Sequence, residues 1–196
     1  MEVVLPANRV FPARANSCYT AAMVRGRACN VAFSGPLVTN SLRGLVAEAI
    51  VASALEPEWS WCAADWAGWD FERSDGLKLE VKQSAARQTW SKTSGKVSPC
   101  RFDIKARSGY YHETEWHAGE GRVADIYVFA HHFVCDTSAD HCEPGQWRFF
   151  VIPESSLPQA KTIGLATVVK LVSPRGISEL AQEVGDCADS LKRMDS

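Results

Sequence analysis

Residues 68–83 carry the pattern that most restricts how this chain can fold. Two segments rich in β-forming residues flank Ser-Asp-Gly at 74–76, which predicts a β-hairpin. A three-residue loop places apolar side chains on one face: Trp69, Phe71, Leu79 and Val81. A two-residue Asp-Gly turn would mix polar and apolar side chains on both faces. Since a shift of one residue moves every side chain to the other face, the three-residue loop is favoured.

The polar face of this hairpin carries residues that could bind a metal ion. In the favoured register Asp70 lies opposite Glu80, with Cβ atoms about 5 Å apart, and Lys82 lies on the same face two residues later. Two such carboxylates repel each other, whereas Mg²⁺ accepts carboxylates together with water and phosphate oxygens. The three residues suit metal-assisted phosphodiester hydrolysis. The alternative is an amphipathic hairpin whose polar face is only solvated.

Residues 41–55, SLRGLVAEAIVASAL, have the apolar periodicity of a helix that ends before Pro57. Glu48 projects at the edge of the apolar arc of this helix. A carboxylate there is costly unless it is paired, hydrogen-bonded or bound to metal. Glu48 is therefore a candidate third acid of the site, or else a boundary side chain that reaches solvent.

The remaining elements predict the fold class. Residues 122–134 and 147–152 are β-branched and aromatic runs of strand length. Ser173-Pro174 predicts the start of a final helix, because proline is well tolerated at the first helical position. The order of helix, hairpin, two strands and helix predicts one α/β domain over 1–196, with a central mixed β-sheet flanked by helices.

These residues, in this order, resemble the PD-(D/E)xK (restriction-endonuclease-like) nuclease superfamily. The similarity consists of an acid on the first helix, Trp-Asp at 69–70 and Glu-Val-Lys-Gln at 80–83. Trp69 stands where the motif has its nominal proline. The resemblance covers about 40–135 and leaves 136–196 as a C-terminal elaboration. It implies a restriction-endonuclease-like core and a nuclease-like domain.

The resemblance also implies roles for the motif residues. Asp70 and Glu80 would hold Mg²⁺, or Mn²⁺ as a substitute, with Glu48 as an outer ligand. Lys82 would lie near the attacking water, and Gln83 would contact the scissile region. The implied activity is that of a DNA endonuclease of a restriction or defence type, which could act as a homodimer.

A basic stretch follows the motif. From Lys82 to Arg107 there are seven lysines or arginines and a single acid, in a chain whose net charge is −2. Basic side chains neutralise phosphates and an aromatic ring can stack on a base. The candidate nucleic-acid-binding residues are Arg87, Trp90, Lys92, Lys96 and Arg101. The alternative is a solvated loop and strand edge.

A histidine and cysteine cluster leaves a zinc site open as an alternative. Its members are His131, His132, Cys135, His141 and Cys142. Their spacing matches no common zinc module, and adjacent histidines in a strand point to opposite faces. We therefore do not include zinc among the expected cofactors.

Composition restricts the remaining classes. Hydrophobic residues are 46% and charged residues 22% of the chain, as in globular proteins, and no apolar run reaches membrane-spanning length. Seven scattered cysteines without CxxC fit reduced thiols, and the first residues lack a secretory pattern, so we expect a cytoplasmic protein. Two rival functions remain, namely an inactive nucleic-acid-binding module and a protein-interaction domain on the same scaffold.

Overall fold

The computed structural model describes residues 20–62, 67–91, 99–112 and 115–194. The chain divides into two compact units, residues 1–34 and 35–196. In the first unit, helix α1 (Ala21–Phe33) follows Thr20, whose hydroxyl accepts a hydrogen bond from the backbone N–H of Met23 at 3.2 Å. This bond satisfies one of the N–H groups that have no partner within the helix.

The second unit contains the predicted elements and several others. In chain order its described elements are α2 (Asn40–Leu55), β1 (Trp59–Trp61), β2 (Phe71–Arg73), β3 (Lys78–Ala85), β4 (Arg101–Asp103), β5 (Arg107–His112), β6 (Glu115–Gly121), β7 (Ile126–His132), β8 (Trp147–Pro153), β9 (Thr162–Gly164), α3 (Leu165–Leu171) and α4 (Ile177–Met194). Helix α2 and strands β7 and β8 confirm the corresponding predictions. Strands β1, β4, β5, β6 and β9 and helix α3 were not predicted.

The central sheet has the strand order β1-β2-β3-β7-β8. β3 and β7 are parallel, whereas the other neighbouring pairs are antiparallel, so the sheet is mixed as predicted. One face packs against α2 and α4 in a core that includes Ala47, Leu79 and Leu180. On the other face Phe129 belongs to a second core with Phe102 of β4. The central strands β3 and β7 therefore lie between two apolar layers, one on each face of the sheet.

The β2–β3 hairpin has the register that the three-residue loop predicts. Phe71 pairs with Leu79 and Glu72 pairs with Lys78. Gly76 in the loop has a φ of 88°, which glycine adopts without the steric penalty that a Cβ would bring. Phe71 and Leu79 are fully buried on the face toward α2.

The regular ladder stops at Asp70. The N–H of Asp70 donates to the carbonyl of Leu79 at 2.9 Å. The predicted direct pairing of Asp70 with Glu80 is therefore wrong. Trp69 then packs in the second core, whereas Phe71 lies in the first. The predicted apolar face therefore holds for Phe71 but is wrong for Trp69, because this backbone irregularity interrupts the alternation of side chains.

The final helix begins later than predicted. The N–H and carbonyl of Arg175 bond to the carbonyl and N–H of Phe149 at 2.8 and 2.9 Å, which ties Arg175 to the edge strand β8. Helix α4 consequently begins at Ile177, beyond Pro174. The prediction that Ser173-Pro174 opens the helix is wrong because backbone pairing with a distant strand replaces the first helical turn.

Candidate active site

Glu80 and Lys82 lie side by side on β3. In the parallel ladder they pair with Tyr127 and Phe129 of β7, whose side chains belong to the second core. The Glu80 side chain is 4% exposed, and its Oε1 accepts from Lys82 Nζ and, at 3.0 Å, from Arg107 Nη2. Its Oε2 is buried and has no hydrogen-bond partner among the described residues. A buried carboxylate oxygen without a donor is unfavourable unless a ligand or ion satisfies it.

Asp70 lies just before β2, and the pKa of its carboxyl group is strongly raised. Its Oδ2 accepts a hydrogen bond from the backbone N–H of Val81 at 2.6 Å. Burial, followed by the negative charges of Glu80 and Glu48, raises the pKa of Asp70 to about 8, against the Val81 hydrogen bond and Lys82, which lower it. The neighbouring acids therefore disfavour the ionised carboxylate, and a cation placed among them would reverse that effect.

Glu48 reaches the same neighbourhood from α2. Its Oε2 accepts a hydrogen bond from Trp61 Nε1 at 3.1 Å. Burial raises the pKa of Glu48, and the charge of Glu80 adds to this, whereas the Trp61 bond and Lys82 lower it. The four residues Glu48, Asp70, Glu80 and Lys82 thus form one electrostatically coupled group.

Gln83 lies on a different side of the sheet from Lys82. Successive residues of a strand point to opposite faces, and Gln83 points toward α2, where its Oε1 accepts from Arg43 Nε at 2.6 Å. Arg43 also donates to Gln88 at 2.8 Å and Asn40 at 2.7 Å. This arginine is 2% exposed and pairs with no carboxylate of the described residues. Gln83 is therefore held in a network of amide side chains around the buried Arg43.

Glu80 and Lys82 line an open cleft of about 430 Å³. Its charged lining comprises four cations, Lys82, Lys105, Arg107 and Arg122, and two acids, Glu80 and Asp103. Arg122 is nearly buried and pairs with Glu154 at 2.7 Å, which leaves three cations in the lining against two acids. The excess of positive charge favours an anionic ligand such as a phosphodiester.

The predicted nucleic-acid-binding residues that the structure describes lie outside the lining of this cleft. Arg87 donates to a main-chain carbonyl, and Trp90 is 67% exposed. Arg101 lines a second cavity of about 640 Å³, and none of these three belongs to the lining of the cleft with Glu80. Lys92 and Lys96 lie outside the described residues.

The donors for a divalent cation are only partly arranged. Within the described part of the chain, no three His, Cys, Asp or Glu side chains are placed to hold one metal ion. For the predicted magnesium site, Glu80 Oε1 is already paired with Lys82 and Arg107. Two features still fit a cation, namely the unpartnered Oε2 of Glu80 and the Asp70 carboxylate, whose pKa is raised beside it.

The histidines of the possible zinc cluster are engaged in other contacts. His131 Nε2 lies 3.2 Å from Cys100 Sγ, and His132 Nε2 lies 3.0 Å from Gln146 Oε1. Burial lowers the pKa of both His131 and His141 to about 4. His131 and His132 are therefore already engaged by side chains of this chain, and His131 and His141 are neutral near pH 7.

Sequence reasoning missed two arginines. Arg107 belongs to the basic stretch, but its contact with Glu80 depends on the β5–β6 hairpin, which no clear alternation predicts. Arg43 lies in the predicted helix, yet nothing in the periodicity of that helix indicates a buried cation. Both roles depend on residues that are distant along the chain.

Neither a protein-family model nor a curated protein matches this chain. In the described ranges, every helix is too short or too polar to cross a membrane.

Proposed function

We propose that this chain is a metal-dependent nuclease that hydrolyses phosphodiester bonds in DNA, on a restriction-endonuclease-like scaffold. The observation that carries the proposal is the coupled group of Asp70, Glu80 and Lys82, with Glu48 beside it. Holding several acids together in a buried setting opposes folding, and perturbed acids of this kind cluster at functional sites. Glu80 and Lys82 of this group line a basic cleft, which supports a phosphate-containing substrate.

Asp70 and Glu80 would hold Mg²⁺ or Mn²⁺, with Glu48 as an outer ligand. The bound cation would polarise the phosphodiester and increase the acidity of a water molecule. Glu80 offers its Oε2, because its Oε1 contacts Lys82 and Arg107. Lys82 places an ammonium group at the cleft, where it stabilises negative charge that develops on the phosphate.

Cleavage of plasmid, mixed genomic DNA and a circular single-stranded DNA tests this proposal. With Mg²⁺ or Mn²⁺ the wild type should nick or cut the DNA, and Lys82→Ala and Asp70→Asn should each lose about 100-fold or more of the rate. Asp189→Asn changes an exposed acid on α4 and should retain the rate. If DNA of diverse sequence stays intact with both Mg²⁺ and Mn²⁺, or if Lys82→Ala still cleaves DNA at the wild-type rate, the proposal is wrong.

A second candidate is an inactive nucleic-acid-binding module. It is favoured by the cations that already neutralise Glu80 Oε1 and by the incomplete donor set among the described residues. Titration calorimetry with Mn²⁺ separates the candidates, because the nuclease requires Mn²⁺ binding that Asp70→Asn weakens. DNA binding without Mn²⁺ binding or cleavage indicates the inactive module. A protein-interaction domain would show no Mn²⁺ binding, no DNA binding and no cleavage.

A further inference from the structure

Trp116 on β6 is an aromatic side chain held in a defined place. A Cβ at Gly109 would lie 2.3 Å from Cζ2 and 2.7 Å from Cε2 of Trp116, so the indole packs directly on the glycine backbone. Its strand partner Tyr111 packs against it at a ring-centroid distance of 5.1 Å and an angle of 62°. Trp116 nevertheless remains 50% exposed. The hairpin therefore fixes this ring while leaving much of its surface open.

The position of Trp116 connects it to the candidate active site. The indole belongs to the lining of the same cleft as Glu80 and Lys82. Lys105 and Arg107 lie in that lining on the segment that leads into β5 and in β5 itself. The cleft volume of about 430 Å³ lies within the range of roughly 300–1,000 Å³ that holds small organic groups. An aromatic surface and cations thus converge where the substrate of the proposed nuclease would bind.

We propose that Trp116 is a stacking platform for an unpaired nucleobase, so that single-stranded nucleic acid is the preferred ligand of this cleft. Every base has an aromatic face that can stack on an indole. Inside a duplex those faces are covered by neighbouring base pairs, and a fixed indole can reach only a base that has left the stack. Lys105 and Arg107 contact the flanking phosphates. The proposal extends the proposed function by naming its substrate class and rests on it for the chemistry alone.

The test measures binding separately from cleavage. Fluorescence anisotropy follows a labelled oligothymidylate and a duplex of the same length with the full-length protein in EDTA. Trp116→Ala should weaken oligothymidylate binding roughly 10- to 100-fold, whereas Trp116→Phe should retain most of it. Gly109→Ala should also weaken binding, because the added Cβ would lie 2.3 Å from the indole and 2.7 Å from the carbonyl oxygen of His117, so this part of the hairpin must shift. Gly119→Ala is the matched control in β6, since nothing lies within 4 Å of its added Cβ.

The outcomes are distinct from those of the nuclease assay. Preferential binding of the single strand that depends on Trp116 supports the inference, even if no variant cleaves DNA. Unchanged oligothymidylate binding by Trp116→Ala, with circular dichroism showing a folded protein, overturns it. Tighter binding of the duplex than of the oligothymidylate, or binding of neither ligand, also overturns it. This holds even if plasmid cleavage shows that the protein is a nuclease. If Gly109→Ala fails to fold, the Trp116→Ala and Trp116→Phe pair still decides the result.

Discussion

Replacing Asp70 by asparagine separates the electrostatics of the site from its shape. The asparagine keeps nearly the same size and still offers an oxygen to the N–H of Val81, which bonds Asp70 at 2.6 Å. It cannot ionise, so it removes the repulsion from Glu80 and Glu48. The change therefore tests whether the folded protein binds a proton at Asp70 near neutral pH.

The structure sets the sign and size of the effect. The pKa of Asp70 is raised from 3.8 to about 8, so between these values the native state binds one proton more than the unfolded state. Stability therefore falls as the pH rises, by up to about 1.4 kcal/mol per pH unit. Burial also lowers the pKa of His131 and His141 from 6.5 to about 4 and lowers the pKa of His132. These shifts act in the opposite direction, largely below about pH 7.5, and equally in the wild type and in Asp70→Asn. From pH 6.5 to 8 the loss from Asp70 is about 1.6 kcal/mol.

Urea unfolding followed by circular dichroism, in EDTA, measures this loss. Between pH 6.5 and 8 the unfolding free energy of the wild type should fall by about 1.6 kcal/mol relative to that of Asp70→Asn, in which the Asp70 contribution is absent. The exposed Asp189→Asn should follow the wild type. Equal pH slopes for the wild type and Asp70→Asn would refute the assignment of a raised pKa to Asp70.

Two further predictions concern stability. Arg43→Met leaves the amide oxygens of Gln83 and Gln88 without their donor and should lower the unfolding free energy by about 3 kcal/mol in urea; a loss below about 1 kcal/mol would show that the network is dispensable. Phe71→Ala empties a fully buried position and should lower it by about 3–5 kcal/mol. Val169→Ala, at a residue that is 51% exposed, is the control, and an equal effect of the two changes would contradict the burial argument.

The local patterns of the sequence predicted the elements that depend on neighbouring residues. Alternation around the loop predicted the pairing of Phe71 with Leu79, because a one-residue shift would expose the apolar face. Helical periodicity over residues 41–55 predicted α2, which spans Asn40–Leu55. The position of Glu48 at the edge of the apolar arc likewise predicted a half-buried acid, and its carboxylate is hydrogen-bonded to Trp61.

What the sequence by itself determined is therefore the β2–β3 register, helix α2, the mixed sheet and a set of acids with a lysine. Tertiary structure alone decided the backbone irregularity at Asp70, the pairing of Arg107 with Glu80 and the burial of Arg43. The physical reason is distance along the chain. Periodicity reports how one segment divides between core and solvent, whereas these contacts join segments whose approach depends on the packing of the whole sheet.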